Sequence, residues 1–375
     1  MGYVAVKGGL DAILAAEKLI HSSNGESQPL QLEQIIEQQR LAVDQIMGEA
    51  GLYNERLAAL AFKQAEGDIT EAVFLLRAYK STLERAGYSQ PIETENMLVL
   101  RRISSAFKNI PGGQLLGRTR DYTQRLLDDG SLDLQVDETQ RVQESEAEQN
   151  SKPALPQFSR VSDVLREEGL VGPLEPQSDE PFDITRQSLH FPAARSARLQ
   201  ILSRGESGAM VAFGYSSMRG YGAVHPTISE LRYGNVPVQI THPLTGKPVT
   251  IGQLRVTEVE EINHAYGFVG GGDGDVLIEE EQMKDEKKPL FELGYGLVFG
   301  QNERKAIAMA ILDRALMIGG DAPTGDAEFV LYHIDSVESS GFVEHLKLPH
   351  YVTFQSNLDR AREERRLAYE KEMKK

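Results

Sequence analysis

The feature that most constrains this chain is a change of hydrophobic period across one long polar stretch. Before it, Leu32, Ile35, Ile36, Val43, Ile46 and Met47 recur at the spacing that gathers apolar groups on one helix face, and Gly51 follows as a stop. A second helix is expected from Asp68, whose carboxylate can accept free N–H groups of the first turn while Glu71 completes a capping-box-like pair. It continues through Ala72, Val73, Leu76, Tyr79 and Leu83. Residues 1–134 therefore read as a mainly helical region. Residues 135–157 are acidic and nearly free of large apolar groups, so they bury too little surface to offset the entropy of ordering and read as a linker or long loop.

Beyond that stretch, residues 158–357 change character. The runs GAMVAFGY (208–215), VPVQI (236–240), VTIGQLRVTEVEEI (249–262) and EFVLYHI (328–334) are rich in β-branched and aromatic residues, punctuated by Gly and Pro, and read as strands. One helix interrupts them after the strand-like GYGLVFG (294–300), with Asn302 as N-cap and Ile307, Ala310, Ile311 and Ala315 as its apolar side. Residues 358–375 carry dense mixed charge and read as a solvated helix end. The expected fold class is α+β, a helical N-terminal region followed by a larger mixed sheet-helix region.

Composition excludes several functions. No run approaches bilayer length, and the N-terminus lacks the basic, apolar and cleavage segments of a leader, so neither membrane insertion nor secretion is expected and the cytoplasm is the expected compartment. With no cysteine the chain has no thiol nucleophile and no thiolate to hold an iron–sulfur cluster. A net charge of −16 repels a phosphate backbone, which argues against nucleic acid as a partner while leaving room for a local basic site.

Three constellations bear on chemistry. The first is His345–Leu–Lys–Leu–Pro–His350. Residues five apart lie about 140° apart around a helix and on opposite faces of a strand, so regular structure would separate the two imidazoles. A bend could reunite them, and Pro349 favours one by holding Leu348 extended. The pair is either two separate histidines or two ligands of a metal site that must draw the rest of its ligands from elsewhere. The second runs from Arg101 and Arg102 through Lys108 to Gly112 and Gly113. It combines cations with glycines that let backbone N–H groups approach an anion, although a Pro-Gly-Gly turn with arginines paired to acidic neighbours explains it equally well. The third is the glycine-rich junction from Gly294 to Gly300 leading to Glu303, which lacks a dinucleotide fingerprint. The acidic glycine run from Gly270 to Asp275 fails the EF-hand spacing and reads as a loop.

Taken together, YVAVKGG (3–9), RRIS (101–104), NIPGGQLLG (109–117), RGYG (219–222), GYGLVFG (294–300), ERKAIAMAILDRAL (303–316) and GFVEHLKLPHYVTFQ (341–355) resemble the PhnI family of the carbon–phosphorus lyase core complex, nearly end to end. The resemblance implies a subunit of the complex that displaces adenine from ATP with methylphosphonate, forming α-D-ribose 1-methylphosphonate 5-triphosphate. It implies work with the G, H and L proteins, assembly with the J subunit, and purine-nucleotide nucleosidase activity of the chain alone on ATP or GTP. It also implies that His345 and His350 bind a metal, zinc being expected, at a site facing the J subunit. No organic cofactor is expected on this chain alone. Breaking an N-glycosidic bond creates a cationic ribosyl centre, for which Glu303, Asp313 and Glu344 are the candidate carboxylates, and Arg101, Arg102, Lys108, Gly112 and Gly113 are the candidate triphosphate contacts. The alternative is a mainly structural scaffold that completes an interfacial metal site while catalysis resides on its partners.

Overall fold

The computed structural model describes residues 8–22, 28–123, 125–127, 159–172, 181–221, 226–264 and 291–374. The stretch expected as an acidic linker, residues 135–157, and the run from Gly270 to Asp275 lie outside them.

The N-terminal half is helical as the periodicity predicts: α1 (Gly9–Ser22), α2 (Leu32–Gln38), α3 (Arg40–Ala50), α4 (Glu55–Gln64) and α5 (Ile69–Ser81). The apolar run 32–47 is broken at Gln39, whose φ of −110° and ψ of 30° leave the helical region, so one expected helix is two. Gly51 ends α3 in the left-handed conformation, and Asp68 accepts the N–H of Glu71 at 3.0 Å at the start of α5. Ile35, Val43, Ile46, Met47, Ala58, Ala72, Val73 and Leu76 close a core of their own.

The sheet has four antiparallel strands in the order β1 (Leu98–Ile103), β2 (Thr227–Thr241), β3 (Pro248–His264) and β4 (Phe291–Phe299). The edge strand β1 comes from inside the stretch expected to be mainly helical. After it come α6 (Val161–Glu167), α7 (Arg195–Arg204) and α8 (Ser207–Ser216), and after β4 come α9 (Glu303–Ile318), α10 (Ala327–His333), α11 (Ser336–Glu344) and α12 (Tyr351–Met373). Two expected strands are therefore helices, α8 for GAMVAFGY and α10 for EFVLYHI. Their caps explain it. Glu206 accepts the N–H groups of Gly208 (2.7 Å) and Ala209 (2.5 Å), and Asp326 accepts that of Phe329 (3.1 Å), so each short apolar run starts from a satisfied helix end.

One sheet face carries α9, which Asn302 caps as expected by accepting the N–H of Lys305 at 3.4 Å. Contact is close because β4 presents glycine to it: a Cβ on Gly294 or Gly296 would fall on the carbonyl oxygen of Ala310 or Ala306. Leu231, Val259, Val298, Ala306, Met309, Ala310 and Leu312 form the main core between helix and sheet. The opposite face is apolar at both ends, with Val236, Val256 and Met97 at one and Ile110, Val161 and Leu165 at the other. Its middle is charged.

Candidate functional site

The charged middle follows from strand alternation. On β3, Glu258 and Glu260 share a face with Leu254, Val256 and Ile262. Glu230 pairs with Glu260 in register, Arg232 with Glu258, and Arg102 of β1 with Arg232. The five charged side chains among them, Arg102, Glu230, Arg232, Glu258 and Glu260, are at most 6% exposed. Arg102 Nε donates to Glu230 at 2.5 Å, and the other oxygen of Glu230 accepts the N–H of Val161 at 3.1 Å. Glu258 accepts from Arg232 Nε (3.0 Å), Thr94 Oγ1 (2.6 Å) and Tyr295 OH (2.8 Å). Arg160, just before α6, reaches Glu258 at 3.3 Å and Glu260 at 3.2 Å from above. Burial works to raise the pKa of Glu258, and the cations Arg232 and Arg160 outweigh it, holding the group below its usual range. Glu260 goes the other way: burial pushes it up, against the Ser162 hydroxyl and Arg160. Three guanidinium groups thus meet three carboxylates, all but Arg160 buried. Sequence reasoning singled out Arg102 for another role and passed over the other five, yet a signal was there: in ELR (230–232) and TEVEE (257–261) charges occupy alternate positions of apolar-flanked strands.

The expected anion loop is tied into this network. Arg102 also donates to the carbonyl oxygens of Pro111 (2.6 Å), Gly113 (3.1 Å) and Ser159 (3.0 Å), clamping the Pro-Gly-Gly turn, in which Gly112 and Gly113 have φ of 85° and 101°. Arg101 points to the other face, donating to Leu116 O (2.5 Å) and Asp121 (2.5 Å), with its Nε 2.9 Å from Glu303. Both guanidinium groups are buried cross-links facing internal partners, whereas Lys108, Gly112 and Gly113 are exposed.

The three candidate carboxylates are not brought together. Glu303 pairs with Arg101 at the start of α9. Asp313, fully buried on the same helix, receives Arg195 in a fork (3.2 and 2.6 Å) and the N–H of Tyr295 (3.1 Å). Glu344, at the end of α11, is exposed, and its carboxylate meets Lys347 at 3.0 Å.

Next to Glu344 the two histidines do converge. A turn of 3₁₀ helix, His345–Lys347, leads into Leu348, which is extended (φ −76°, ψ 157°), and His350 then forms the N-cap of α12. The chain thus reverses at the position where Pro349 forbids a helical Leu348. The rings lie 5.3 Å apart, centroid to centroid, inclined at 64°. Each is oriented by its own backbone: His345 Nδ1 bonds to the carbonyl oxygen of Phe342, and His350 Nδ1 to that of Leu348 at 2.6 Å. A carbonyl only accepts, so Nδ1 carries the proton on each neutral ring and Nε2 keeps its lone pair. That tautomer is the one in which a metal-binding histidine is held by its surroundings. Among the described residues no group of three or more His, Asp or Glu side chains is placed to hold an ion, so the pair offers two donors. Phe342, Leu346, Tyr351 and Phe354 are each more than 60% exposed around it.

The fold and the site define an α+β chain with a closed, charge-lined sheet and an open pair of oriented imidazoles on an apolar surface. The model of the bacterial phosphonate metabolism protein family, PhnI, matches residues 2–368, and the chain belongs to that family. It is 44% identical to the alpha-D-ribose 1-methylphosphonate 5-triphosphate synthase subunit PhnI of Rhizobium meliloti, over 97% of this chain and 95% of that one. It is 45% identical to the subunit of the same name from Escherichia coli, over 95% of this chain and 96% of that one. Among the described residues no helix is long and apolar enough to cross a membrane.

Proposed function

We propose that this chain is a subunit of the enzyme complex that displaces adenine from ATP with methylphosphonate to give α-D-ribose 1-methylphosphonate 5-triphosphate, working with the G, H, J and L proteins. The reading is carried by the near full-length match to two chains named as subunits of that synthase. The exposed imidazole pair supports it as a reaction or assembly site. His345 and His350 would hold zinc through Nε2, with the remaining ligands from a partner subunit or solvent, and the apolar rim of Phe342, Leu346, Tyr351 and Phe354 suits such a partner. When bound, zinc supplies Lewis-acid polarisation of phosphoryl or phosphonyl oxygens.

The chain's own residues have three tasks in this scheme. The carbonyl oxygens of Phe342 and Leu348 hold both imidazoles in the Nδ1–H tautomer. Glu344 is the one candidate carboxylate open to a substrate. As C1–N9 of the nucleotide breaks, the bonding pair departs with adenine, which takes up a proton from solvent; a carboxylate there stabilises the positive charge on the ribosyl carbon while a phosphonate oxygen forms the new bond to it. Glu303 and Asp313, engaged by Arg101 and Arg195, position α9 instead. This engagement also favours the second reading, in which the chain is a scaffold completing an interfacial metal site and partners perform the displacement.

Product analysis separates them. Incubating the purified chain with ATP should give adenine and ribose 5-triphosphate, shifting to the methylphosphonate adduct with the partners present. Glu344→Gln should lower that yield without loss of fold. If the complete set of proteins makes adduct and the chain alone never releases adenine, the scaffold reading stands. If no adduct forms at all, both fail.

A further inference from the structure

The β2–β3 hairpin outgrows its sheet. β2 and β3 run for 15 and 17 residues, β1 and β4 for 6 and 9. Pairing between β3 and β4 begins only at Val256, opposite Phe299, and β1 reaches β2 no further than Asn235. Residues 236–254 therefore project as a two-stranded ribbon. One of its edges is partly guarded, because Gln90 N donates to Gln239 O (2.7 Å) and Gln90 Nε2 to Thr241 Oγ1 (3.0 Å). The other edge, Pro248–Leu254, pairs with β2 on one side, and among the described residues no backbone bond reaches it from the far side.

Open edges invite pairing with foreign chains, and proteins ordinarily blunt them with charge, proline or cover. This one has Pro248 at its first position and a bulge near Ile251, but from Val249 to Leu254 it has no charged residue, and Val249 (40% exposed) and Ile251 (60%) present β-branched side chains to solvent. Leu244 at the tip is 90% exposed. A strand with unpaired amides and carbonyls, high β-propensity and no repelling charge recognises an extended backbone.

We propose that the free edge of β3 at 248–254 receives an extended strand from another subunit of the assembly, which extends the sheet by one strand. The occupant is apolar or neutral at its centre and carries a carboxylate where it passes Lys247. A second copy of this chain fits less well. Antiparallel self-pairing about Ile251 would set Lys247 opposite Arg255, like charges facing each other, between two molecules that each carry a charge of −16.

The inference rests on the subunit reading only for the choice of partner proteins. Its test is amide hydrogen exchange on the chain alone and on the assembly reconstituted with the G, H, J and L proteins, formation of the assembly being followed by native mass spectrometry. The amides of 249–254 not bonded to β2 should exchange at least about tenfold more slowly in the assembly. Ile251→Lys should weaken partner retention by a similar factor, while Ile251→Thr, which keeps a neutral β-branched edge, retains the partner, and both variants should melt as wild type does. Unchanged exchange within an intact assembly overturns the proposal and leaves the synthase reading untouched. Protection that rises with the concentration of the chain alone overturns it in favour of a second copy. Failure of all four proteins to bind overturns both readings.

Discussion

Two of the clusters of ionisable groups among the described residues differ in almost every physical respect. In the sheet cluster Arg102, Arg232, Glu230, Glu258 and Glu260 are buried, Arg160 closes it from its half-buried rim, and its charges are paired chiefly with one another. The His345–His350 pair lies at the surface on one tight turn, and its hydrogen bonds to Phe342 O and Leu348 O use one nitrogen of each ring and leave the other free. The contrast shows how little a perturbed carboxylate reveals by itself. Within one ion-pair network Glu258 is held down by its cations and Glu260 is pushed up by burial, and networks that only organise a fold produce such shifts too. Free lone pairs with a fixed tautomer are the stronger sign of a ligand.

If the sheet cluster is a structural cross-link, breaking it has the largest effect. Arg232→Met leaves Glu258 without its closest cation, and by analogy with other buried pairs the loss is about 3–5 kcal/mol. Urea unfolding measures it. The double substitution Arg232→Met with Glu258→Met should recover much of the loss, since the uncompensated charge goes too. A double variant no better than the single one would mean that the network does more than neutralise itself. The next largest effect is packing on the other sheet face. Gly296→Ala drives a methyl group into the carbonyl oxygen of Ala306 and should cost about 1–3 kcal/mol, read as a lower Tm at constant fold.

How far the sequence announces these regions depends on the kind of signal. Helices with caps and long apolar stripes were legible, because Asp68 and Asn302 act locally. The runs 208–215 and 328–334 read as strands because short, mostly apolar runs of eight and seven residues fit either element, and the deciding caps, Glu206 and Asp326, lie outside the runs. The histidine turn was legible through Pro349. The clamp of Arg102 on the Pro-Gly-Gly turn was not, since it depends on Glu230 and on the carbonyl of Ser159, far along the chain, and long-range register is invisible to local pattern. The same limit hid the separation of Glu303, Asp313 and Glu344.

A pH dependence sharpens the comparison. Glu261, on the α9 side of β3, is 1% exposed and is pushed up to about 8 by burial, with Arg314 opposing and Asp313 and Glu292 adding to the rise. The folded chain therefore holds this proton more tightly than the unfolded chain, whose ordinary value is 4.5. The stability linked to it is full below that value and is lost as pH climbs through about 8. Glu261→Gln has no proton to lose, so its stability relative to wild type should rise steadily across that window in denaturant titrations at several pH values. A flat difference would mean that Glu261 is already ionised in the fold.

The smallest expected effect on stability belongs to the histidines. His345→Ala and His350→Ala remove a half-buried and an exposed ring that belong to no core cluster, so unfolding free energies should stay within about 0.5 kcal/mol of wild type. Zinc retained by the assembly after dialysis should nevertheless fall with either substitution, and equally, because each ring offers one Nε2 to the same ion. Asparagine at the two positions refines the point: it keeps a polar group without the Nε2 donor and should restore nothing. A large stability loss with metal retained would reverse the contrast, making the surface pair the structural element and returning attention to the sheet cluster as the reactive one.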